Sequence, residues 1–243
     1  MKISVVIPVY NEVESIGALI KEVEAALQGR MDYEVLCVDD GSTDGTGVLL
    51  KEIEKDCHGL RILTHGRRCG KSTAMCTGIA AADSCWVVTL DGDGQNDPAD
   101  ILPLLAELEA ASAASVVHLV NGARRCRRDG WPKRIFSRVA NRFLSLVLRQ
   151  EMIDAGCGLK LIRRDAFLAL PRFESMHRYL PALIRSGGGE VMWVDVGHRP
   201  REKGRSKYGI VDRLCEGIPD TLGVLWLRWR MRVSTVEKDE SSL

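Results

Sequence analysis

The sequence predicts an α/β protein whose mostly parallel sheet is flanked by helices. Short apolar runs alternate with amphipathic stretches through the first half of the 243-residue chain, which is typical of β-α-β units. Three of these runs end in clusters of polar residues, as strands do at the ligand-binding edge of such a sheet. With 45% hydrophobic residues, the chain can bury one main core, and we expect one main domain with a C-terminal extension.

The first half carries nine predicted elements. Short apolar runs predict strands at 3–9, 33–38, 60–64, 85–90 and 114–120. Apolar residues at helical spacing predict helices at 12–27, 44–56, 70–82 and 98–110. Asp97-Pro98 marks the start of the last of these helices, because Pro is favoured in the first turn of a helix and Asp is favoured just before it.

The second half is less regular and more basic. We expect a basic helix at about 131–149, a glycine-rich turn at 156–158, strands at 158–163 and 190–197, and helices near 165–170, 175–186 and 209–222. Residues 1–123 contain 9 Lys and Arg against 19 Asp and Glu, whereas residues 124–243 contain 25 against 14. The second half is therefore expected to meet an anionic partner.

Cysteine usage indicates the compartment. Eight cysteines occur singly, with no C-x-x-C and no Cys/His zinc-ligand spacing, so they predict reduced thiols rather than a disulfide framework or a zinc site. Met1-Lys2 leads directly into a strand-like run, and no apolar run reaches the 18 or so residues that span a bilayer. We expect a cytoplasmic protein without a signal peptide or a membrane-spanning helix.

The pair Asp91-x-Asp93 follows the strand predicted at 85–90. Two carboxylates one residue apart at a strand tip suit a hard divalent cation such as Mg²⁺ or Mn²⁺, which completes its shell with phosphate and water. The same acids could instead cap a turn before the helix at 98–110. An EF-hand loop fits less well, because it needs Gly where Asn96 stands and Glu where Leu102 stands.

Two other predicted strands also end in polar clusters, at residues 8–12 and 39–46. Because ligands bind at the carboxyl ends of parallel strands, the three clusters together predict one site. The stretch 65–72 lies where a P-loop would, after a strand and at the start of a helix, but His65 replaces the first glycine of that motif. An ATPase or a kinase is therefore not favoured.

Taken together, these motifs resemble the family 2 glycosyltransferases. The matching stretches are Pro8-Val-Tyr-Asn-Glu12, residues 38–46, Gly70-Lys-Ser-Thr-Ala74 with Gly78, and Leu90-Asp-Gly-Asp-Gly-Gln95. The resemblance extends to the polyprenyl-phosphate branch, typified by dolichyl-phosphate mannose synthase, through residues 122–124, Ser137-Arg138-x-x-Asn141, residues 154–160 and residues 201–208. It covers nearly all of residues 3–213 and implies a GT-A-type, Rossmann-like fold.

The resemblance assigns the donor site to the first half. It implies nucleotide-sugar contacts from Pro8, Tyr10, Glu12, Asp39, Asp40, Gly70, Lys71, Asp91 and Gln95. Asp40 is favoured over Asp39 for the nucleotide, because neighbours on a strand point to opposite faces and one of the two could cap the next helix. Asp91, Asp93 and Gln95 would hold Mg²⁺ or Mn²⁺ against the diphosphate of a GDP- or UDP-sugar.

The resemblance places the acceptor in the second half. It implies phosphate contacts from Arg124, Arg134, Arg138 and Ser206, and catalytic roles for Asp93, Arg124, Arg138, Arg201 and Lys207. A phosphate acceptor is already anionic at neutral pH, so it needs cations to hold it rather than a base. The implied reaction is the inverting transfer of one sugar to a polyprenyl phosphate of the dolichyl or undecaprenyl type.

The same resemblance divides the chain. It implies a catalytic domain at 1–213, with a nucleotide-sugar-binding half at 1–123 and an acceptor half at 124–213. Residues 214–233 follow as an amphipathic helix expected to face a membrane, since tryptophans stand beside arginines, although an ordinary helix packed on the core is the alternative. Residues 234–243 are expected to be a disordered tail. We therefore expect peripheral association with the cytoplasmic face of a membrane, directly or through a membrane-protein partner or a homo-oligomer.

Three other functions stay open. A family 2 transferase acting on a sugar hydroxyl would need a base, for which Asp154 is the candidate unless it only shapes its turn. A nucleic-acid-binding protein would use the basic segment 124–149, but few aromatic residues accompany it, so we expect no nucleic-acid partner. A catalytically inactive scaffold is disfavoured, because Asp91, Asp93, Arg201 and Lys207 are all present.

Overall fold

The computed structural model describes residues 1–57, 59–111, 117–124, 142–148, 152–200 and 210–231. Seven strands form one sheet in the order β3-β2-β1-β4-β6-β5-β7. Their bounds are β1 Ile3–Val9, β2 Tyr33–Asp39, β3 Leu60–Thr64, β4 Trp86–Thr89, β5 Val117–Arg124, β6 Lys160–Arg163 and β7 Glu190–Val196. Only β6 runs against its neighbours β4 and β5, and the other four pairs are parallel. The mostly parallel sheet predicted from the sequence is confirmed.

Helices lie on both faces of this sheet. Their bounds are α1 Ile16–Leu27, α2 Thr46–Asp56, α3 Lys71–Ala81, α4 Ile101–Ala110, α5 142–147, α6 Arg164–Leu168, α7 Leu180–Ser186 and α8 Ile210–Arg230. Val5 and Ile7 of β1 pack with α1, α2 and α4 in one core cluster, whereas Val6 packs with α3 and α7 in a second. Successive side chains of a strand point to opposite faces, so β1 is buried on both.

Helix α1 begins at Ile16 rather than at residue 12 as the sequence predicts. Asn11 adopts a positive φ of 53°, and the backbone N–H groups of Ser15 and Ile16 both donate to the Glu12 carbonyl, at 3.1 and 3.0 Å. Residues 11–15 therefore form a turn before the helix. This turn keeps Glu12 at the carboxyl edge of the sheet.

Several boundaries in the second half also differ from the prediction. β5 runs on to Arg124 because it pairs with β7 as far as Val196. The helix predicted at 175–186 divides into a 3₁₀ turn at Met176–Arg178 and α7. The helix predicted at 209–222 and the amphipathic helix predicted at 214–233 form the single helix α8, with Pro219 inside it. Among the helices that the structure describes, none is both long and apolar enough to cross a lipid bilayer.

The sheet topology brings the polar strand ends together. β2, β1 and β4 are neighbours, so the turns that follow them lie side by side. The antiparallel β6 begins where β4 ends, with Lys160 in register with Thr89 and with Asn121 of β5. The turn at 154–159 thereby enters the same edge from the second half of the chain. This placement builds the candidate site.

Candidate active site

The aspartate pair lies on the turn that follows β4. The turn rests on the end of β1, because a Cβ on Gly92 would lie 3.2 Å from the Pro8 carbonyl oxygen. Ser15 Oγ, just before α1, donates to the Gly92 carbonyl at 3.0 Å. Within the turn, the Gln95 N–H donates to Asp93 Oδ1 at 3.2 Å. Asp91 packs against the 154–159 turn so closely that a Cβ on Gly158 would lie 2.3 Å from its carboxylate. The structure therefore fixes Asp91 between the two halves of the chain.

A lysine at the start of α3 neutralises Asp91. Lys71 Nζ lies 2.5 Å from Asp91 Oδ1. Burial by itself would raise the pKa of Asp91, but the charges of Lys71, Arg124 and Lys160 outweigh it and lower that pKa below its usual value. The carboxylate is thus ionised and already has a cation beside it. Asp91 and Asp93 thus place two carboxylates on one turn, which fits a hard divalent cation such as Mg²⁺ or Mn²⁺.

Asp40 organises the loop between β3 and α3. His65 Nδ1 lies 2.7 Å from Asp40 Oδ1, and the backbone N–H groups of Cys69 and Gly70 donate to the same carboxylate at 2.8 Å each. Asp39 accepts from the Ser42 N–H at 2.9 Å and so holds the next turn. Both carboxylates are buried. Their contacts shape the loops around the predicted nucleotide pocket, and direct nucleotide binding by either remains a prediction.

The end of β1 supplies the other predicted donor contacts. Pro8 and Tyr10 are half-buried at this edge. The Arg68 guanidinium lies 4.6 Å from the centre of the Tyr10 ring, in a cation–π contact that the sequence did not predict. Ser15 Oγ lies 3.2 Å from Glu12 Oε2. The structure thus gathers all nine residues predicted to bind the nucleotide-sugar along one edge of the sheet.

Arg124 forms a buried ion pair with Asp154. Its Nε and Nη2 atoms donate to the two carboxylate oxygens at 2.6 and 2.8 Å. Burial would lower the pKa of Arg124, but Asp154 outweighs it and raises that pKa above its ordinary value. The bidentate pair fixes the guanidinium next to the glycine-rich turn, since Arg124 Nη2 would lie 3.4 Å from a Cβ on Gly156. It also occupies Asp154, the candidate base of the hydroxyl-acceptor alternative.

Lys160 is a buried cation that our sequence-based site prediction missed. Its Nζ donates to Asn121 Oδ1 at 2.5 Å and to the Ala155 carbonyl at 3.5 Å. Burial lowers the pKa of Lys160 to about 8, against the opposing effects of Cys157, Asp154 and Asp91. Its position at the end of the Asp154–Lys160 motif was the available signal. The sequence alone could not show that this strand residue lies close enough to Asp91 for their charges to interact.

His177 is the second residue that the prediction missed. Its Nδ1 lies 2.8 Å from Ser72 Oγ, and its backbone N–H reaches the same hydroxyl at 3.4 Å. Burial, helped by the charges of Lys71, Arg178 and Lys160, holds the pKa of His177 well below its usual value. Residues 70, 71 and 72 thus bind Asp40, Asp91 and His177 in turn. The first turn of α3 is therefore fixed from three sides.

The remaining predicted residues lie outside the described part of the chain. These are the acceptor and catalytic candidates Arg134, Arg138, Arg201, Ser206 and Lys207, together with the tail at 234–243. Of the predicted acceptor contacts, the structure describes Arg124.

Comparison with known proteins identifies relatives over most of the chain. The model of the family Glycosyl transferase family 2 matches residues 4–170. The dodecaprenyl-phosphate galacturonate synthase of Rhizobium johnstonii is 35% identical over 238 residues, which cover 96% of this chain and 69% of that protein. The undecaprenyl-phosphate 4-deoxy-4-formamido-L-arabinose transferase of Proteus mirabilis is 33% identical over 213 residues, which cover 86% of this chain and 64% of that protein. The chain thus spans less than two thirds of the second relative.

Solved structures share the fold. Glucosyl-3-phosphoglycerate synthase from Mycobacterium tuberculosis, in complex with Mn²⁺, UDP and phosphoglyceric acid, matches with a TM-score of 0.68 at 23% identity, over 97% of this chain and 81% of that chain. Mannosyl-3-phosphoglycerate synthase from Rubrobacter xylanophilus matches with a TM-score of 0.69 at 19% identity, over 95% of this chain and 74% of that chain. This likeness confirms the GT-A-type fold that the sequence predicts.

Proposed function

Because this chain belongs to glycosyltransferase family 2, we propose that it transfers a single sugar, with inversion, from a nucleotide-sugar to a polyprenyl phosphate. One feature of the site carries the proposal. The turn of Asp91 meets the ion pair of Arg124 and Asp154 at the carboxyl edge of the sheet. A place for the leaving diphosphate therefore lies beside a fixed guanidinium that can hold an anionic acceptor.

The first half of the chain would bind the donor. Asp91, Asp93 and Gln95 would hold Mg²⁺ or Mn²⁺, which would neutralise the charge that builds on the departing nucleoside diphosphate. Lys71, now on Asp91 Oδ1, is placed to share that role as a point charge. Tyr10 and Glu12 would line the nucleotide pocket, and Asp39 and Asp40 would contact the nucleotide as well as fix the surrounding loops. In this assignment, donor binding depends on residues from the ends of three adjacent strands.

The second half would bind the acceptor. Arg124, oriented by Asp154, would hold an oxygen of the acceptor phosphate. We assign Arg134, Arg138 and Ser206 to the same phosphate, and we assign catalytic roles to Arg201 and Lys207. A phosphate oxygen attacks the anomeric carbon without losing a proton, so this reaction needs no base. Positioning of the two reactants would add to the catalysis that charge neutralisation of the diphosphate supplies.

A sugar-hydroxyl acceptor fits the same site less well. Such an acceptor needs a carboxylate base within reach of its hydroxyl proton. Asp154 is only 4% exposed, and both of its oxygens bind Arg124. To act as a base it would have to leave a buried guanidinium without its partner, which costs about 3–5 kcal/mol. The ion pair therefore favours the phosphate acceptor.

Incubation with a panel of donors tests the reaction. UDP-galacturonate, a UDP-4-deoxy-4-formamido-L-arabinose, UDP-glucose and GDP-mannose would each be mixed with a short polyprenyl phosphate and Mg²⁺ or Mn²⁺. We expect one donor to give a polyprenyl-phosphate sugar, identified by mass spectrometry of the lipid product. The matched control is the free polyprenol, which has the same chain and no phosphate. Equal transfer to the polyprenol, or no lipid product from any donor, would contradict the proposal.

We also propose that α8 docks on an anionic membrane surface at the cytoplasmic face. One side of the helix packs on the protein through the buried Thr221 and Val224. The other side carries an apolar stripe of solvent-exposed residues. Their exposed fractions are 56% for Ile218, 62% for Leu222, 58% for Trp226 and 79% for Trp229. The Arg230 guanidinium lies 5.9 and 5.7 Å from the two indole rings. Tryptophan beside arginine suits the headgroup region of a bilayer that carries negative charge.

Replacing both tryptophans should weaken this docking. We expect the double substitution Trp226→Ser and Trp229→Ser to lower binding to anionic phospholipid vesicles by about tenfold or more, because both rings leave the interface. Co-sedimentation measures the bound fraction. Val48→Ser is the matched control, since Val48 is 66% exposed on α2 and lies outside the stripe. Unchanged binding of the double variant would show that α8 is not the contact.

A further inference from the structure

Three side chains at the donor edge form a cluster with metal-ligand chemistry. One ligand atom from each of Asp40, His65 and Cys69 lies within 4.8 Å of the other two. None of the three belongs to the predicted Mg²⁺ or Mn²⁺ site on the turn after β4. His65 and Cys69 come from the loop before α3, whereas Asp40 comes from the end of β2. Only the fold brings the carboxylate to the other two.

We propose that Asp40, His65 and Cys69 bind a thiophilic divalent cation of the zinc class. Sulfur, imidazole nitrogen and a carboxylate oxygen are the ligands that Zn²⁺ takes in proteins, whereas Mg²⁺ and Mn²⁺ prefer oxygen. Asp40 is 3% exposed and Cys69 is exposed, so the cluster has a fixed inner end and an open outer end. Three protein ligands leave a fourth tetrahedral position for water.

Neighbouring groups already orient two of the three ligands, His65 and Asp40, for this role. His65 Nε2 lies 2.9 Å from Thr77 Oγ1, so with Nδ1 on the cation the ring would donate its Nε2 proton to that hydroxyl. The backbone N–H groups of Cys69 and Gly70 hold the Asp40 carboxylate at 2.8 Å. Outer hydrogen bonds of this kind fix the tautomer and the direction of metal ligands. These hydrogen bonds indicate a site that is largely built.

The proton balance of binding is simple. His65 Nδ1 lies 2.7 Å from the Asp40 carboxylate. On binding, the cation takes that place, and the ring proton resides on Nε2. The Cys69 thiol loses its proton to solvent and binds as thiolate. No oxidant or reductant takes part.

Cation binding would regulate the donor site, a consequence that rests on the proposed function. The cation would tie the loop at 65–70 to the end of β2, and Asp40 is among the predicted nucleotide contacts. Arg68 of the same loop stacks on Tyr10. The bound cation would hold this loop in one arrangement, whereas the nucleotide would require another. The zinc-class ion is therefore expected to lower the affinity of the protein for the donor.

Cobalt titration of the whole protein tests the site without donor or acceptor. Co²⁺ bound to a thiolate gives a ligand-to-metal charge-transfer absorption band in the near ultraviolet. Added Zn²⁺ should displace the Co²⁺ and remove this band. We expect about one equivalent of this signal in the wild type and at least a tenfold weaker affinity in Cys69→Ser and in His65→Gln. Cys85→Ser is the matched control, because Cys85 is also an exposed thiol and should leave the signal unchanged.

Two further measurements complete the test. The Asp91→Asn and Asp93→Asn double variant should keep the cobalt signal, which separates this site from the predicted Mg²⁺ or Mn²⁺ site. Circular dichroism establishes that each variant is folded. Absence of the band in the folded wild type, or its persistence in Cys69→Ser, would overturn the metal site. If Zn²⁺ raises the donor KM equally in wild type and Cys69→Ser, the site does not compete with the donor.

Discussion

Asp91→Asn is expected to reduce sugar transfer about 100-fold or more while the protein stays folded. The carboxylate lies 2.5 Å from Lys71 Nζ, and three cations lower its pKa. In the proposed mechanism it holds both the divalent cation and, through it, the departing diphosphate. The amide has nearly the same shape but lacks the charge. The loss should appear in kcat, measured with saturating donor and Mn²⁺, because the charge matters most as the diphosphate departs.

A neighbouring aspartate provides the control for this variant. Asp97 lies on the same turn, where its side chain accepts from the Ala99 N–H at 3.0 Å and pairs with Arg199 at 2.7 Å. Asparagine can still accept the first of these bonds, so Asp97→Asn should keep most of the activity. Asp93→Asn should behave like Asp91→Asn. Full activity in Asp91→Asn or in Asp93→Asn would show that the aspartate pair does not hold the cation and the diphosphate.

The sequence predicts the first half of the fold well because its signals are local. The alternation of apolar runs and amphipathic stretches requires only neighbouring residues, and so does the placement of Asp40 and Asp91 directly after strands. The predicted start of α1 was wrong by four residues, because the helix begins at residue 16 rather than at residue 12. The reason is that residues 11–15 form a turn closed by hydrogen bonds to the Glu12 carbonyl. The pattern of side chains does not predict this turn.

The candidate site was predicted as a set of residues but not as a set of contacts. Periodicity cannot reveal that β6 enters the sheet antiparallel to β4 and brings Lys160 opposite Thr89. The pairs Lys71–Asp91 and Arg124–Asp154 likewise join residues 20 and 30 positions apart in the sequence. Charge pairing is therefore a tertiary property. The sequence indicates that each charged side chain lies at the carboxyl edge of the sheet, but it does not show which opposite charge pairs with it.

Gly158→Ala is expected to lower activity about as much as the loss of the Asp91 charge. A Cβ on Gly158 would lie 2.3 Å from Asp91 Cγ and from Oδ1. The Gly158 backbone cannot easily retreat, because its carbonyl accepts from the buried Thr89 hydroxyl at 2.7 Å. The carboxylate must therefore move and leave Lys71. Overpacking of this kind also costs about 1–3 kcal/mol of stability, which urea unfolding would measure beside the kinetics.

Comparison with two other variants separates displacement of Asp91 from general damage. Gly156→Ala alters the same turn, but its Cβ would lie 3.4 Å from Arg124 Nη2, so a small effect is expected. Combining Gly158→Ala with Asp91→Asn should lower kcat little further than either change alone, because both remove the same carboxylate from the site. Multiplied losses in the double variant would mean that Gly158 acts through another group. A wild-type kcat in Gly158→Ala would mean that Asp91 does its work from a different position.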